Sequence, residues 1–460
     1  MNDGGATWRQ RRLERGLAAA ACVLLACSWI NAQAQEVPVN GIIPYPHEET
    51  TLANGLKVIT MPMPSNGLVS YWSIVRTGSR DEYEPGHTGF AHFFEHMMFR
   101  GTDKYPADVY QRILTEIGAD ANAYTTDDLT AFHVSMTADD LPRVMELESD
   151  RFEHLSYSEP DFQTEAGAVY GEYRKDRTDP LFVLYEAVMG AAFQKHTYGH
   201  TTMGYEKDIA AMPTMYDYSR SFFARYYRPD NTVLFIAGDV DPDAAVDLVE
   251  RYYGDWKSGY VVPDVPAEPP QDKARRVDVG YEGQTLPLLW VSYKLGRFDP
   301  NDLTRVAADL LAPLAFGETS AAYRKLVLNE QVVEFLQAEA NLNRDPGLFD
   351  IYTRVKDPDK VDYVLDVIEQ TAAAYRDTPP DAARLAALKS HLKYGFLMGL
   401  QTPEAVAGRL ARHIAISGDL DGVEALYAAY DKVTAEDVQK AAQTYLAPPR
   451  QTVGVLRAAQ

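Results

Sequence analysis

Two histidines and a glutamate stand within five residues of one another in Gly89-Phe90-Ala91-His92-Phe93-Phe94-Glu95-His96-Met97-Met98-Phe99. In a helix, residues four apart share a face, one turn above the other. His92 and His96 can therefore aim two imidazole nitrogens at one ion. Glu95 lies on nearly the same face and can hold a water at that ion without ligating it. A catalytic zinc takes three protein ligands and leaves one position open. The third ligand has to come from elsewhere in the chain. The stretch 161–175 offers Glu165 and Glu172, two helical turns apart and so facing one way, with Phe162, Ala166 and Val169 as an adjoining apolar stripe. An ion held in this way polarises a scissile carbonyl and acidifies water. Glu95 is then the base that takes the water's proton and passes it to the departing amine. The other eight histidines, His87, His133 and His154 among them, read as surface or hydrogen-bonded core residues.

The elements that must position these groups follow from periodicity and breakers. Residues 68–76 read as a strand and 88–99 as the helix carrying the histidines. Residues 120–136 read as two strands around a turn near Asp127-Asp128, followed by helices near 160–177 and 181–194. A short apolar strand at 231–237 and an amphipathic helix at 244–253 close this half. Residues 258–277, SGYVVPDVPAEPPQDKARRV, hold four prolines and little hydrophobic periodicity, as a linker does. Beyond it the order restarts. LPLLWVSYKLG at 286–296 parallels LVSYWSIVRTG at 68–78, and a helix ending in Phe316-Gly317 parallels the one ending in Phe99-Arg100-Gly101. The expected fold is α+β, two homologous α/β domains joined by a proline-rich linker. The expected division is 1–34, 35–257, 258–277 and 278–460. The second copy has Asp309, Ala312 and Pro313 where the first has His92, Glu95 and His96, so one half alone can bind metal.

Bulk properties narrow the function. With 460 residues, 46% hydrophobic and 24% charged, the chain reads as a soluble two-domain protein. No apolar run reaches the length of a membrane-spanning helix. Arg9, Arg11, Arg12 and Arg15, the apolar stretch 17–26 and Ala32-Gln33-Ala34 follow the order of an export signal, so residues 1–34 are expected to be removed and the mature chain to be periplasmic. A rival reading cuts before Cys27 and anchors the chain there as a lipoprotein, although Leu25 is not the small residue preferred at that place. Cys22 and Cys27 are the two cysteines of the chain, so the mature part has no disulfide framework and no thiol ligand. Removing a net +2 from −22 leaves −24, a poor charge for binding nucleic acid or an anionic membrane.

The order H-x-x-E-H is the inverted zincin pattern. His92-Phe-Phe-Glu95-His96-Met-Met-Phe-Arg-Gly-Thr102 resembles the signature of the pitrilysin/insulinase family, and the chain is similar to its short two-domain members related to mitochondrial processing peptidase. Further stretches match in order: Asn122-Ala123-Tyr124-Thr125, Tyr198-Gly199, Gly204-Tyr205, Tyr227-Arg228-Pro229-Asp230-Asn231 and Ala237-Gly238-Asp239-Val240. The resemblance implies the processing-peptidase fold for both domains and one Zn2+ per chain. It also implies His92, His96 and Glu172 as ligands, Glu95 as base and Glu165 as a supporting acid. Asn122, Ala123 and Tyr124 would form the edge strand along which an extended peptide lies, a backbone-reading mode that implies broad specificity for unfolded peptides.

One part of the family pattern is missing. Active members also use an Arg and a Tyr seven residues apart. Aligned on Glu330, those positions hold Val327 and Glu334; aligned on Arg324, the second holds Gln331. The resemblance therefore implies a zinc endopeptidase whose homologous partner subunit carries the Arg/Tyr pair, with a homodimer using other residues as the alternative. A non-catalytic structural or peptide-binding subunit is the rival from another class, against which the intact His92, Glu95, His96 and Glu172 stand. A zinc enzyme acting on small amides or esters is a third reading.

Overall fold

The chain's central strands are buried on both faces, which explains why they read as unbroken apolar runs rather than alternating ones. In the computed structural model, which describes residues 41–459, β3 (Leu68–Val75) and β6 (Thr232–Gly238) lie at the centre of a six-stranded sheet. Its order is β1-β2-β6-β3-β5-β4, with β1 at Glu48–Thr51, β2 at Lys57–Pro62, β4 at Asp120–Thr125 and β5 at Thr130–Thr137. A second sheet has the order β7-β11-β8-β10-β9, from Arg275–Tyr281, Gln451–Ala458, Leu288–Lys294, Leu348–Val355 and Val333–Ala340. β2 pairs in parallel with β6, and β7 with β11; the remaining pairs of both sheets are antiparallel.

Without β1 the two sheets have one topology, so the duplication read from the sequence is real. Trp72 and Trp290, 218 residues apart, make the same packing in each copy. Trp72 stacks on His133 at 4.4 Å and Trp290 on Tyr352 at 4.5 Å. The expected pair of strands around Asp127-Asp128 is β4 and β5, and the two expected long helices are Glu159–Asp176 and Pro180–Ala192.

The halves 35–257 and 278–460 interlock, because each covers the other's sheet. Helix Pro180–Ala192 lies on β7, β8 and β11, packing Leu184 and Val188 against Leu288, Trp290 and Leu456. Helix Pro403–Ser417 lies on β3 and β6, with Leu410 and Ile414 among Trp72, Ile74 and Phe235. Gly454 makes the first contact possible, since a Cβ there would meet Val188 Cγ2 at 2.3 Å. Each sheet has an apolar face that its own half leaves bare, and the exchanged helix removes it from water.

The linker also ends earlier than expected: β7 takes residues 275–277, where alternation replaces the prolines. What remains is anchored. Glu268 accepts hydrogen bonds from the backbone N–H groups of Gln194, Lys195 and His196 at 2.9–3.2 Å, beside Lys294 and Arg275. The expected export segment, with Cys22 and Cys27, lies outside the described residues. Among the described residues no helix is long and apolar enough to cross a membrane.

Candidate metal centre

The motif helix runs over Phe90–Met97, shorter than the expected 88–99, and is fixed at its start by backbone contact. Gly89 is left-handed (φ 92°), and a Cβ on it would meet Met203 O at 2.7 Å; a Cβ on Gly204 (φ 85°) would meet Gly89 N at 2.6 Å. These two glycines let the chain segments touch main chain to main chain. The buried Glu82 caps the helix, accepting from Gly89 N and Ala91 N at 2.7 Å each. Phe90, Phe93, Phe94 and Met97 fill the core beneath, leaving His92, Glu95 and His96 on the remaining face.

Helix Glu159–Asp176 crosses this face. Ser158 caps it through reciprocal bonds with Asp161, and Phe162, Ala166, Val169 and Tyr173 form its buried stripe, with Phe162 5.1 Å from the Phe93 ring. That packing delivers Glu172 to the histidines. Its Oε2 lies 3.3 Å from His96 Nε2 and 3.8 Å from His92 Nε2, and the three ligand atoms fall within 4.8 Å of one another. A tetrahedral zinc with bonds of about 2.0–2.1 Å spaces its donors by about 3.3 Å, a spacing that the Glu172–His96 pair already has and the wider pairs approach. No other group of three such donors occurs among the described residues.

The surrounding electrostatics suit ligation. Burial, and then the neighbouring His96, lower the His92 pKa to about 4, so the ring is neutral over the ordinary pH range. Its Nδ1 is buried without a hydrogen-bond partner. His96 Nδ1 meets Glu165 Oε1 at 2.9 Å, which leaves Nε2 for the ion and raises the His96 pKa. The hydrogen bond from His96, and then those from Arg100 (Nε to Oε2, 2.6 Å), hold the Glu165 carboxyl below the usual range. Burial raises the Glu95 pKa, opposed by the Thr125 hydroxyl, which donates to Oε2 at 2.6 Å.

Asn122, Ala123 and Tyr124 sit in β4, which is the sheet's edge. Strand alternation sends Ala121, Ala123 and Thr125 towards the motif helix and Asn122 and Tyr124 to the other face, where Tyr124 packs edge-on to Trp72. Their side chains thus point away from the metal cluster, and the edge is offered as backbone. Asn122 Oδ1 accepts from Ala123 N at 2.9 Å, so this N–H points off the sheet and is capped locally. The cleft beside the cluster measures about 390 Å³ and is lined by Glu95, His96, Phe99, Arg100, Ala107 and Glu165.

Three contributors escaped the sequence reading. Arg100 lies one turn past His96 on the same face, a spacing that could have shown it. Thr125 shares strand parity with Ala123, and Glu82 had no local signal at all. No Arg/Tyr pair occupies the second half's candidate positions: Val327 and Arg324 belong to a π-turn at Arg324–Asn329, Gln331 is left-handed, and Glu334 on β9 pairs with Arg354 at 3.3 Å.

A His-His-Glu cluster on H-x-x-E-H, in the first of two duplicated α/β domains, defines the inverted zincin class with a two-domain processing-peptidase fold. Residues 57–206 match the family described as insulinase (peptidase family M16) and residues 215–392 the peptidase M16 inactive domain, and the chain belongs to this family. It is 26% identical to the zinc protease PqqE of Helicobacter pylori, across 89% of this chain and 93% of that one. It is 25% identical to the mitochondrial-processing peptidase subunit beta of Bos taurus, across 86% and 81%. The crystal structure of a protease from Helicobacter pylori superposes with a TM-score of 0.85 at 25% identity, covering 90% of this chain and 99% of the other.

Proposed function

We propose that the chain is a zinc-dependent endopeptidase acting on unfolded peptides. The observation that carries this is the convergence of His92 Nε2, His96 Nε2 and Glu172 Oε2 within 4.8 Å, with the Glu95 carboxylate on the same helix face. Zinc bound there supplies Lewis acidity, polarising a peptide carbonyl and acidifying a water. Glu95 accepts the water's proton and returns it to the leaving amine, and the burial that raises its pKa makes it the stronger base for that task. Glu165 holds the His96 ring and its tautomer, and Arg100 neutralises Glu165 so that it stays off the ligand position. The free edge of β4 orients an extended peptide by main-chain pairing.

The absent Arg/Tyr pair supports a second component of the proposal: a homologous partner subunit supplies it, and this chain is the zinc-carrying member of a heterodimer. A homodimer that uses other residues is the competing assembly. We also propose that residues 1–34 direct export to the periplasm. The test is peptide hydrolysis by the mature chain with zinc quantified on the same sample and Glu95→Gln as control. One zinc per chain with hydrolysis appearing only when an Arg/Tyr-bearing homologue is added supports the heterodimer. Full hydrolysis by the chain alone, lost in Glu95→Gln, keeps the peptidase and discards the partner. A chain that holds no zinc discards both.

A further inference from the structure

We infer that the half of the chain without metal ligands sets the position of Glu95, acting through the β4–β5 turn, with Thr125 as the positioning residue. This rests on the reading of Glu95 as the base.

The contacts form a continuous series from one half to the other. The loop between β9 and β10 brings Asn343 and Arg344 onto the turn. Arg344 N donates to Asp128 Oδ2 at 3.1 Å, and Asn343 Nδ2 reaches the same oxygen at 3.3 Å. The Arg344 guanidinium donates to the carbonyls of Arg76, Asp128 and Ala415 at 3.1–3.3 Å. Tyr198 OH holds the other Asp128 oxygen at 2.7 Å. Asp128 is 1% exposed, so these bonds are made away from water, where a lost partner is not replaced by solvent.

The opposite side of the turn is clamped by the segment after β3. Ser79 Oγ donates to Asp127 Oδ1 at 3.0 Å, and Arg80 N donates to Asp127 O at 2.9 Å. Gly78 permits the approach, since a Cβ there would lie 2.2 Å from Thr126 O. Between these clamps residues 126–129 have one place to be. Thr125 immediately precedes them, and its hydroxyl bonds Glu95 Oε2.

Glu95 has three rotatable side-chain bonds, and the Thr125 hydroxyl is its single hydrogen-bond partner among the described residues. Whatever moves the turn moves that partner. Proton transfer from a water needs heavy atoms within about 2.6–3.2 Å, and a misplacement of about 1 Å can lower a rate about 100-fold. The second half thus has a part in catalysis that its lack of ligands conceals: it holds the base's anchor still. The substrate's own docking strand is the last link, so peptide and base are referred to one piece of backbone.

The test uses the assembly that hydrolyses peptides. Thr125→Val, which keeps shape and removes the donor, is expected to lower kcat about 10- to 100-fold. KM should stay within about twofold, zinc at one per chain, and Thr125→Ser should recover most of the rate, since a purely structural loss does not sort this way. Asp128→Ala, or Asn343→Ala if the former does not fold, is expected to lower kcat in the same manner. Combined with Thr125→Val it should add little, because both act on one contact. The carboxyl 13C signal of Glu95 should shift in each variant. An unchanged kcat in Thr125→Val beside an inactive Glu95→Gln overturns the inference, and additive losses overturn the part assigned to the second half. Activity surviving in Glu95→Gln overturns the functional reading instead.

Discussion

His96 Nδ1 and Glu165 Oε1 are 2.9 Å apart, and the same carboxylate accepts from Arg100 on its second oxygen. Glu165 therefore touches the proposed metal cluster through the His96 ring. Glu165→Gln keeps an acceptor for His96 but loses the charge paired with Arg100. Zinc affinity is expected to fall about 10- to 100-fold, the usual effect of losing such a supporting partner. Competition with a chelator of known affinity measures it. Glu172→Ala, which removes a ligand, should abolish stoichiometric zinc under the same conditions. Equal affinities in Glu165→Gln and the parent would contradict the assignment.

The edge of β4 can be tested without touching the sheet. Ala123 N points outward to the Asn122 side chain, so Ala123→Pro removes a donor on the free edge and leaves the ladder to β5 intact. KM for a peptide is expected to rise by about tenfold, the worth of one hydrogen bond of about 1.4 kcal/mol, with thermal stability little changed. A proline variant with parental KM would show that peptides do not pair there.

Much of the site was legible because its logic is local. The spacing of His92, Glu95 and His96, and of Glu165 and Glu172, is a helical repeat that survives in any context. Trp72 and Trp290, with Gly78 and Gly296, carry the duplication in plain text. What was hidden depends on contacts between distant segments. Helix Pro180–Ala192 is apolar almost all round, so its pattern names no face and gives no hint that it crosses to the other sheet. The prolines of 258–270 read as a spacer, yet Glu268 seats itself on three N–H groups from residues 194–196. Thr125 showed its strand parity but not which helix would face it.

The motif helix depends on its glycine pair. Gly204→Ala would place a Cβ 2.6 Å from Gly89 N at a backbone φ of 85°, two independent penalties at one position. A loss of at least about 2 kcal/mol is expected, measured by urea unfolding of the zinc-free protein. Gly167→Ala, on an open helix surface, is the control and should be neutral or slightly stabilising. Equal stability of the two variants would remove the role given to close backbone approach.

Asp345 links the halves with a pH-dependent bond. Burial alone would raise its pKa, but His196 at 3.1 Å and Arg80 at 2.6 Å hold it well below the usual carboxylate range. Its folded-state pKa is therefore depressed relative to the unfolded chain. The stabilisation it gives is fully present above the unfolded value of about 3.9 and is lost as pH falls through the folded value. Asp345→Asn is expected to destabilise the protein by about 2 kcal/mol at pH 7. The gap between parent and variant should narrow steadily below about pH 4, as the carboxyl of the unfolded parent chain takes up a proton that the folded chain still refuses. Parallel denaturant titrations at pH 7 and pH 3 measure both numbers. A gap that stays constant over that range would mean that the ionised carboxylate adds nothing to the join between the halves.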